Sequence, residues 1–334
     1  MKKILMMLIA VVAMISIAGC AKKDDTIVLH LSYGDREGVY EGEMVDGVPN
    51  GTGKFTTQNE AGEQWIYEGG FVDGHFEGEG TTTWTASGHF ETGTYENDNL
   101  IPMSKEETEK AFKNSEKYAG HLVEVTGKVN YIYDVTDEYT ILSMFCDPEN
   151  YDKDVFVAIY GDDIDIGKDD YLKATGIIMN DKEFKAFGYY SNDMAVKVKE
   201  WEVMDYISAM SPTIKAKDVN LSQDQLGYTI TIQKVEFADN ETRIYMSMSN
   251  NGVAKFSCYK WNMIISQNGR QLEYKENWIA EYPELNDNLL PGNSTEGIMT
   301  FDAIDKDAPF SLTIEAYSDD WHEDIEDYVF DIEG

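Results

Sequence analysis

The chain has 334 residues, 42% of them hydrophobic, and carries 62 Asp and Glu against 27 Lys and Arg, a formal net charge of -35. The apolar content suffices for ordinary cores, and the length points to two or three domains. Such a surface repels phosphate backbones and anionic headgroups within the reach that salt allows, which leaves basic or neutral partners, polyols and hard cations.

Residues 1–20 read MKKILMMLIAVVAMISIAGC. Lys2 and Lys3 form a positive start, and Ile4 to Ala18 form an apolar stretch broken only by Ser16. As a helix this stretch spans about 22 Å, short of a hydrocarbon core of about 30 Å, so a cleaved signal fits better than a membrane span. Its end, Ile17-Ala18-Gly19-Cys20, resembles the lipobox of bacterial lipoproteins. The resemblance implies that residues 1–19 are removed and that the Cys20 thiol carries diacylglycerol, with palmitate among its acyl chains. Two or more chains anchor stably where one is marginal. The expected location is extracytoplasmic, on the outer face of a Gram-positive membrane rather than in a Gram-negative periplasm. Residues 20–37 then hold the anchor, a short polar tether and a first strand.

The next segment repeats itself. Tyr40-Glu41-Gly42-Glu43-Met44-Val45-Asp46-Gly47, followed by Asn50-Gly51-Thr52-Gly53, recurs 27 residues later as Tyr67 to Gly74 with Glu77-Gly78-Glu79-Gly80. A degraded third copy runs from Gly93 to Asp98. The period suits a stacked supersecondary unit. Tyr40, Gly42 and Met44 alternate onto one face, and Asp46-Gly47 tolerates positive φ, so each copy is expected to be a β-hairpin. Gly51 and Gly53 are expected to let an aromatic ring of the neighbouring hairpin lie on the backbone. The pattern resembles the MORN repeat over residues 38–101, which implies stacked hairpins and a role in protein contacts. It departs from that repeat at Glu77, where His or Asn is usual, and at Asp98, which replaces a turn glycine.

In residues 103–207, Ser104 and Glu107 form a capping box, and Ala111, Phe112, Ser115 and Ala119 are expected on one face of a short helix. Strands are expected at Leu122–Val129, Tyr139–Phe145, Val155–Tyr160, Tyr171–Met179 and Ala195–Val203, with Phe184–Tyr190 as an extra one. A helix before five short strands suggests a small barrel, and the Val123-Glu124-Val125-Thr126-Gly127-Lys128-Val129 run resembles OB-fold domains of exported bacterial proteins. Tyr131, Tyr133, Tyr189 and Tyr190 could stack bases in such a fold. Residues 104–205 hold 23 acids, 12 lysines and no arginine, however, so counterion release cannot drive nucleic-acid binding. Asp163 and Asp165 fit the opening of a calcium loop, but Ala174 occupies the position where a closing Glu is needed, so a polar turn competes with that reading.

Residues 212–333 alternate clearly at Tyr228, Ile230 and Ile232, at Ile244, Met246 and Met248, and at Phe310, Leu312 and Ile314. Asn251-Gly252, Asn268-Gly269 and Pro291-Gly292 supply turns, and seven or eight strands suggest a two-sheet sandwich. The segment resembles immunoglobulin-like domains of Gram-positive lipoproteins. The fold class is thus mainly β and multidomain. Cys146 and Cys258 remain beside Cys20, either as buried free thiols or as an interdomain disulfide.

His30, His75, His89, His121 and His322 fall into no nucleophile, zinc or phosphate-cradling motif, so the sequence points to a protein that is not an enzyme and needs no cofactor. The expected function is a membrane-anchored binding or scaffold module for envelope proteins or cell-wall polymers. The alternative is a cell-wall or glycan hydrolase using an unrecognised carboxylate pair.

Overall fold

The computed structural model describes residues 26–147, 153–161, 164–189, 191 and 193–334. Cys20 and Asp163 therefore lie outside the described residues, as does Tyr190.

Seven strands form one antiparallel sheet in chain order: β1 (Thr26–Leu31), β2 (Gly34–Val45), β3 (Val48–Gln58), β4 (Gln64–Val72), β5 (His75–Trp84), β6 (Phe90–Glu96) and β7 (Asn99–Leu100). The repeats are the β2–β3 and β4–β5 hairpins, and β6–β7 is the third. Both central residues of each turn have positive φ, namely 52° and 83° at Asp46-Gly47, 50° and 87° at Asp73-Gly74, and 44° and 72° at Asn97-Asp98. That geometry matches the right-handed twist of the flanking strands.

The glycines do admit an aromatic ring, but it is the hairpin's own. A Cβ on Gly53 would lie 2.3 Å from the Tyr40 hydroxyl, and one on Gly80 would lie 2.4 Å from that of Tyr67. Each tyrosine folds back across its own hairpin because its hydroxyl donates to a carbonyl three residues on, Glu43 at 2.8 Å and Gly70 at 3.0 Å. Gly51 faces the Glu43 carboxylate instead, which accepts from the Thr52 amide. Tyr67 stacks 3.8 Å from Phe76 of its own hairpin, and rings of successive hairpins meet edge-on, Tyr40 with Phe71 at 5.0 Å and Tyr67 with Tyr95 at 5.1 Å. Leu29 and Leu31 of β1 join this core. No single hairpin buries enough apolar surface to stand alone, so stacking supplies the stability.

Asp98 explains itself. Its side chain is fully buried, accepting from the amides of Ser32 at 2.6 Å and Phe76 at 2.7 Å and contacting His75 Nδ1 at 2.8 Å. A glycine there would satisfy the turn but leave both amides without that acceptor.

After the sheet, α1 (Lys105–Lys113) starts with the expected capping box, Ser104 Oγ accepting from the Glu107 amide and Glu107 from the Ser104 amide. It stops earlier than expected. Asn114 at φ -158° ends it, and Ser115–Tyr118 forms a separate 3-10 turn, so Ser115 and Ala119 are not on its face. A closed five-stranded barrel follows, built from β8 (Leu122–Val135), β9 (Tyr139–Phe145), β10 (Asp154–Tyr160), β11 (Tyr171–Ile178) and β12 (Met194–Met204) in the order β10-β12-β11-β8-β9. The β10–β12 contact is parallel. The expected extra strand at Phe184–Tyr190 is absent: α2 (Asp181–Ala186), capped by Asn180, lays Phe184 on the outside of the barrel against Ile141, Ala158 and Ala195. A single apolar run cannot separate a short helix from a strand, and the Asn180 cap decides it here.

The short α3 (Tyr206–Met210) leads into nine more strands: β13 (Lys215–Gln225), β14 (Tyr228–Phe237), β15 (Glu241–Asn250), β16 (Phe256–Gln267), β17 (Arg270–Glu273), β18 (Asn288–Leu289), β19 (Ser294–Asp302), β20 (Phe310–Ser318) and β21 (Tyr328–Ile332). One sheet runs β13-β14-β15-β19 and the other β17-β16-β20-β21, with β18 beside β16. Their inward residues share one core, from Tyr228, Ile230 and Met246 on one side to Phe256, Leu312 and Phe330 on the other. Gln223 and Gln225 of β13 donate to the Val329 and Glu326 carbonyls, tying the edge of one sheet to the other.

Cys258 is buried in that core and Cys146 lies in the barrel segment, and both are free thiols. Burial, then the Asp287 charge, pushes the Cys258 thiol up to about 12.

Candidate functional site

Where the N-terminal sheet meets the barrel, a groove of about 590 Å³ opens beside the aromatic core. Its sheet side presents Tyr33 from the β1–β2 turn, Trp65 of β4, Phe76 and Trp84 of β5, and Tyr95 of β6. The barrel side contributes Leu122, Thr175, Lys199 and Glu200. Tyr33 stands 47% exposed at the rim, whereas Trp65 is 6% exposed and holds its ring edge-on to Phe55 and Phe76, each 6.2 Å away. Rings of one wall are thus fixed by the hairpin packing itself, which makes the groove largely preformed.

The polar groups of the groove are organised by the same strands. Glu91 of β6 accepts from Lys199 Nζ of β12 at 2.7 Å and lies 3.5 Å from His89 Nε2. Burial pushes the Glu91 carboxyl up, but the bonds from His89 and Lys199 more than offset this and hold it below its usual range. His89 in turn reaches Glu183 of α2 at 3.2 Å, so the His89–Glu91 pair ties the sheet to the barrel unit twice, through Glu183 and through Lys199. The Glu91 bond raises the His89 pKa, opposed by burial and aided by Glu183. At the mouth, the Arg36 guanidinium lies 5.6 Å from the centre of the Tyr33 ring and donates Nη1 to the Asp35 carbonyl. Burial pushes the Tyr95 phenol up to about 12, so it stays neutral and pairs with Thr82 Oγ1 at 2.9 Å.

Because the folded His89 pKa is raised, its contribution to stability is complete below the ordinary imidazole value and is lost as pH rises through the elevated one. His89→Gln is therefore expected to lower the stability of the sheet–barrel junction by about 1–2 kcal/mol near pH 5.5 and by little near pH 8.5. Thermal melts of both proteins at the two pH values measure this; an equal gap at both would contradict it.

The residues expected from sequence fall elsewhere. Tyr131, Tyr133 and Tyr189 do come together on the outside of the barrel, with ring centroids 4.7 Å (Tyr131–Tyr133) and 5.5 Å (Tyr133–Tyr189) apart, beside Phe156. Asp165 is exposed on the β10–β11 connection, where the neighbouring Asp170 carboxylate accepts from the Gly167 amide. Among the described residues no group of three or more His, Cys, Asp or Glu is placed to hold a metal ion. The histidine partners are Asp35 for His30, Asp98 for His75 and the Tyr118 carbonyl for His121, while the His322 ring lies 3.5 Å from that of Trp321.

The groove itself was missed from the sequence. Its signal was the break in the repeat: 27 residues before Trp65 and Trp84 the first copy has Gly38 and Thr57. The two tryptophans stand opposite each other on β4 and β5, so one copy of the repeat carries a ring pair that the other lacks.

The sequence model of the MORN repeat matches residues 40–60 and 67–88, the β2–β5 hairpins that form one wall of this groove. Among solved structures, the crystal structure of the conserved domain protein from Bacillus anthracis is 8% identical, with 93% of each chain covered and a TM-score of 0.26. No curated protein matches this chain. The N-terminal sheet is therefore a MORN-repeat sheet.

Proposed function

We propose that this protein is a lipoprotein anchored through Cys20 outside the cytoplasm, and that it acts as a non-catalytic binding module for an envelope protein or polymer. The observation that carries the reading is the preformed aromatic groove between the repeat sheet and the barrel. Rings fixed by packing, with a few charged groups at set positions, bind without the entropy loss of ordering a loop. No partner needs to be a nucleic acid: the same acidity that repels phosphate backbones surrounds the barrel.

The middle unit fits an OB-type barrel, with its third and fifth strands, β10 and β12, in parallel contact. The two packed sheets that follow fit an immunoglobulin-like sandwich. On this reading Cys20, six residues before β1, tethers the repeat sheet close to the membrane, the barrel completes the groove, and the sandwich extends beyond it. Cys20→Ser is expected to release the chain into the medium or leave it with its leader uncleaved. Mass spectrometry of the amino-terminal peptide tests this, and an unmodified Cys20 in the wild type would overturn the anchor.

A further inference from the structure

The groove's lining points to the class of its ligand, and the inference rests on the reading of that groove as the binding site. The rings come first. Tyr33 is exposed at the rim and Trp84 is partly exposed inside it. An aromatic face carries negative charge density, which attracts positively polarised C–H bonds. The axial face of a pyranose ring presents a row of such bonds, backed by hydroxyls around its edge.

The donors come second. Arg36 has five N–H donors and the one side-chain hydrogen bond it makes among the described residues goes to the Asp35 carbonyl; Lys199 has three and bonds Glu91. Both therefore retain donors for hydroxyl or amide oxygens. The carboxylates Asp98 and Glu91 are already engaged, Asp98 by two amides and His75 and Glu91 by Lys199.

Charge and edges narrow the choice. A net charge of -35 disfavours a polyanionic polymer. An extended peptide adding as a strand would need a long free edge, and the sheet's two edge strands, β1 and β7, are six and two residues long. The geometry points to a neutral sugar chain, its ring faces on Trp84 and Tyr33 and its oxygens on Arg36 and Lys199. The volume of about 590 Å³ lies within the span of roughly 300–1,000 Å³ usual for small-ligand sites.

The test uses the full-length protein in detergent, with tryptophan fluorescence read against β-1,4-linked tetramers of N-acetylglucosamine and of glucose, and polyglycerol phosphate as the anionic comparison. Saturable binding of at least one neutral tetramer is expected at or below about 1 mM. Tyr33→Ala and Trp84→Ala are each expected to weaken it at least about tenfold, Trp84→Phe much less, and Trp278→Ala, a ring exposed on the sandwich, not at all. Tyr33 is a rim residue, so its variant keeps the test open if the Trp84 change disturbs folding. No saturable binding of either tetramer, binding unchanged by Tyr33→Ala, or preference for the polyanion would overturn the assignment. If sugars fail while a protein crosslinks through the groove in cells, only the sugar assignment falls; if nothing crosslinks there, the binding-module reading falls too.

Discussion

Asp98→Ala is expected to lower the stability of the repeat sheet by about 3 kcal/mol, the largest loss from any single change in that unit. The substitution removes the acceptor of two amides, Ser32 N and Phe76 N, that belong to different hairpins. It also leaves alanine at φ 72°, where Asp is tolerated better than Ala. Asp98→Gly relieves the second problem but not the first, so it should recover less than half of the loss. Hydrogen exchange separates the terms, because the amides of Ser32 and Phe76 should lose protection in both variants while strands of the sandwich keep theirs. A loss below about 1 kcal/mol, with both amides still protected, would show that water or backbone shifts replace the carboxylate.

The second large effect lies at Arg243, which is completely buried. Its guanidinium donates to Glu236 at 3.1 Å, Glu241 at 2.8 Å, the Ser211 carbonyl and hydroxyl at 2.9 and 2.8 Å, and Thr213 Oγ1 at 2.7 Å. Tyr282 donates to Glu241 at 2.6 Å, and Asn277 bridges Glu241 and Tyr206 of α3. With Tyr171 donating to the Ile279 carbonyl at 3.0 Å, this network fastens the barrel to the sandwich. Burial pushes the Glu236 and Glu241 carboxyls up, but bonds from Lys234 and Tyr245 to Glu236, and from Tyr282, Asn277 and Arg243 to Glu241, bring both below their usual range.

Arg243→Ala strands two buried carboxylates and is expected to cost about 3–5 kcal/mol. Arg243→Met with Glu236→Gln and Glu241→Gln removes all the charges and should recover much of that. The sign with pH follows from the depressed carboxylate values. Their stabilising contribution is present above the ordinary carboxylate range and is lost as pH falls through the folded values. The gap between wild type and Arg243→Ala should therefore be widest near neutral pH and narrow below about pH 4, which urea titrations at several pH values would show. A gap that stays constant with pH would contradict the electrostatic account.

The legible part of the fold was the part with a period. The 27-residue offset gave the hairpins, alternation at Tyr228, Ile230 and Ile232 gave β14, and the Ser104–Glu107 box gave the start of α1. What escaped depended on contacts between distant segments. Leu226-Gly227 makes a turn with φ of 57° and 89° at a residue type that rarely signals one, because β13 and β14 pair on both sides of it. The ring over the glycines belongs to the same hairpin because of the tyrosine hydroxyl's bond to a carbonyl, which spacing alone does not reveal. Between Cys258 and Met263 the β16 strand bulges against β20, so these two residues, five positions apart, both face the core where simple alternation would put them on opposite faces.

The site was less legible than the fold. Tyr131 and Tyr133 are legible because they alternate within one strand, whereas the groove gathers Tyr33 from a turn, Trp84 from the end of β5 and Lys199 from the middle of β12, steps of 51 and 115 residues along the chain. Arg243 stood out only as one of three arginines. Its partners, from Ser211 to Tyr282, are brought together by the return of β15 beneath the long β17–β18 connection.

Photocrosslinking in the cells that make the protein tests the central claim most directly, with a benzophenone side chain placed at position 33 of the groove rim or, as a comparison, at position 131 on the outside of the barrel. A discrete envelope adduct is predicted from position 33, absent from position 131 and abolished when Cys20→Ser releases the chain. Adducts from position 131 alone, or an adduct from position 33 to a cytoplasmic partner, would contradict it.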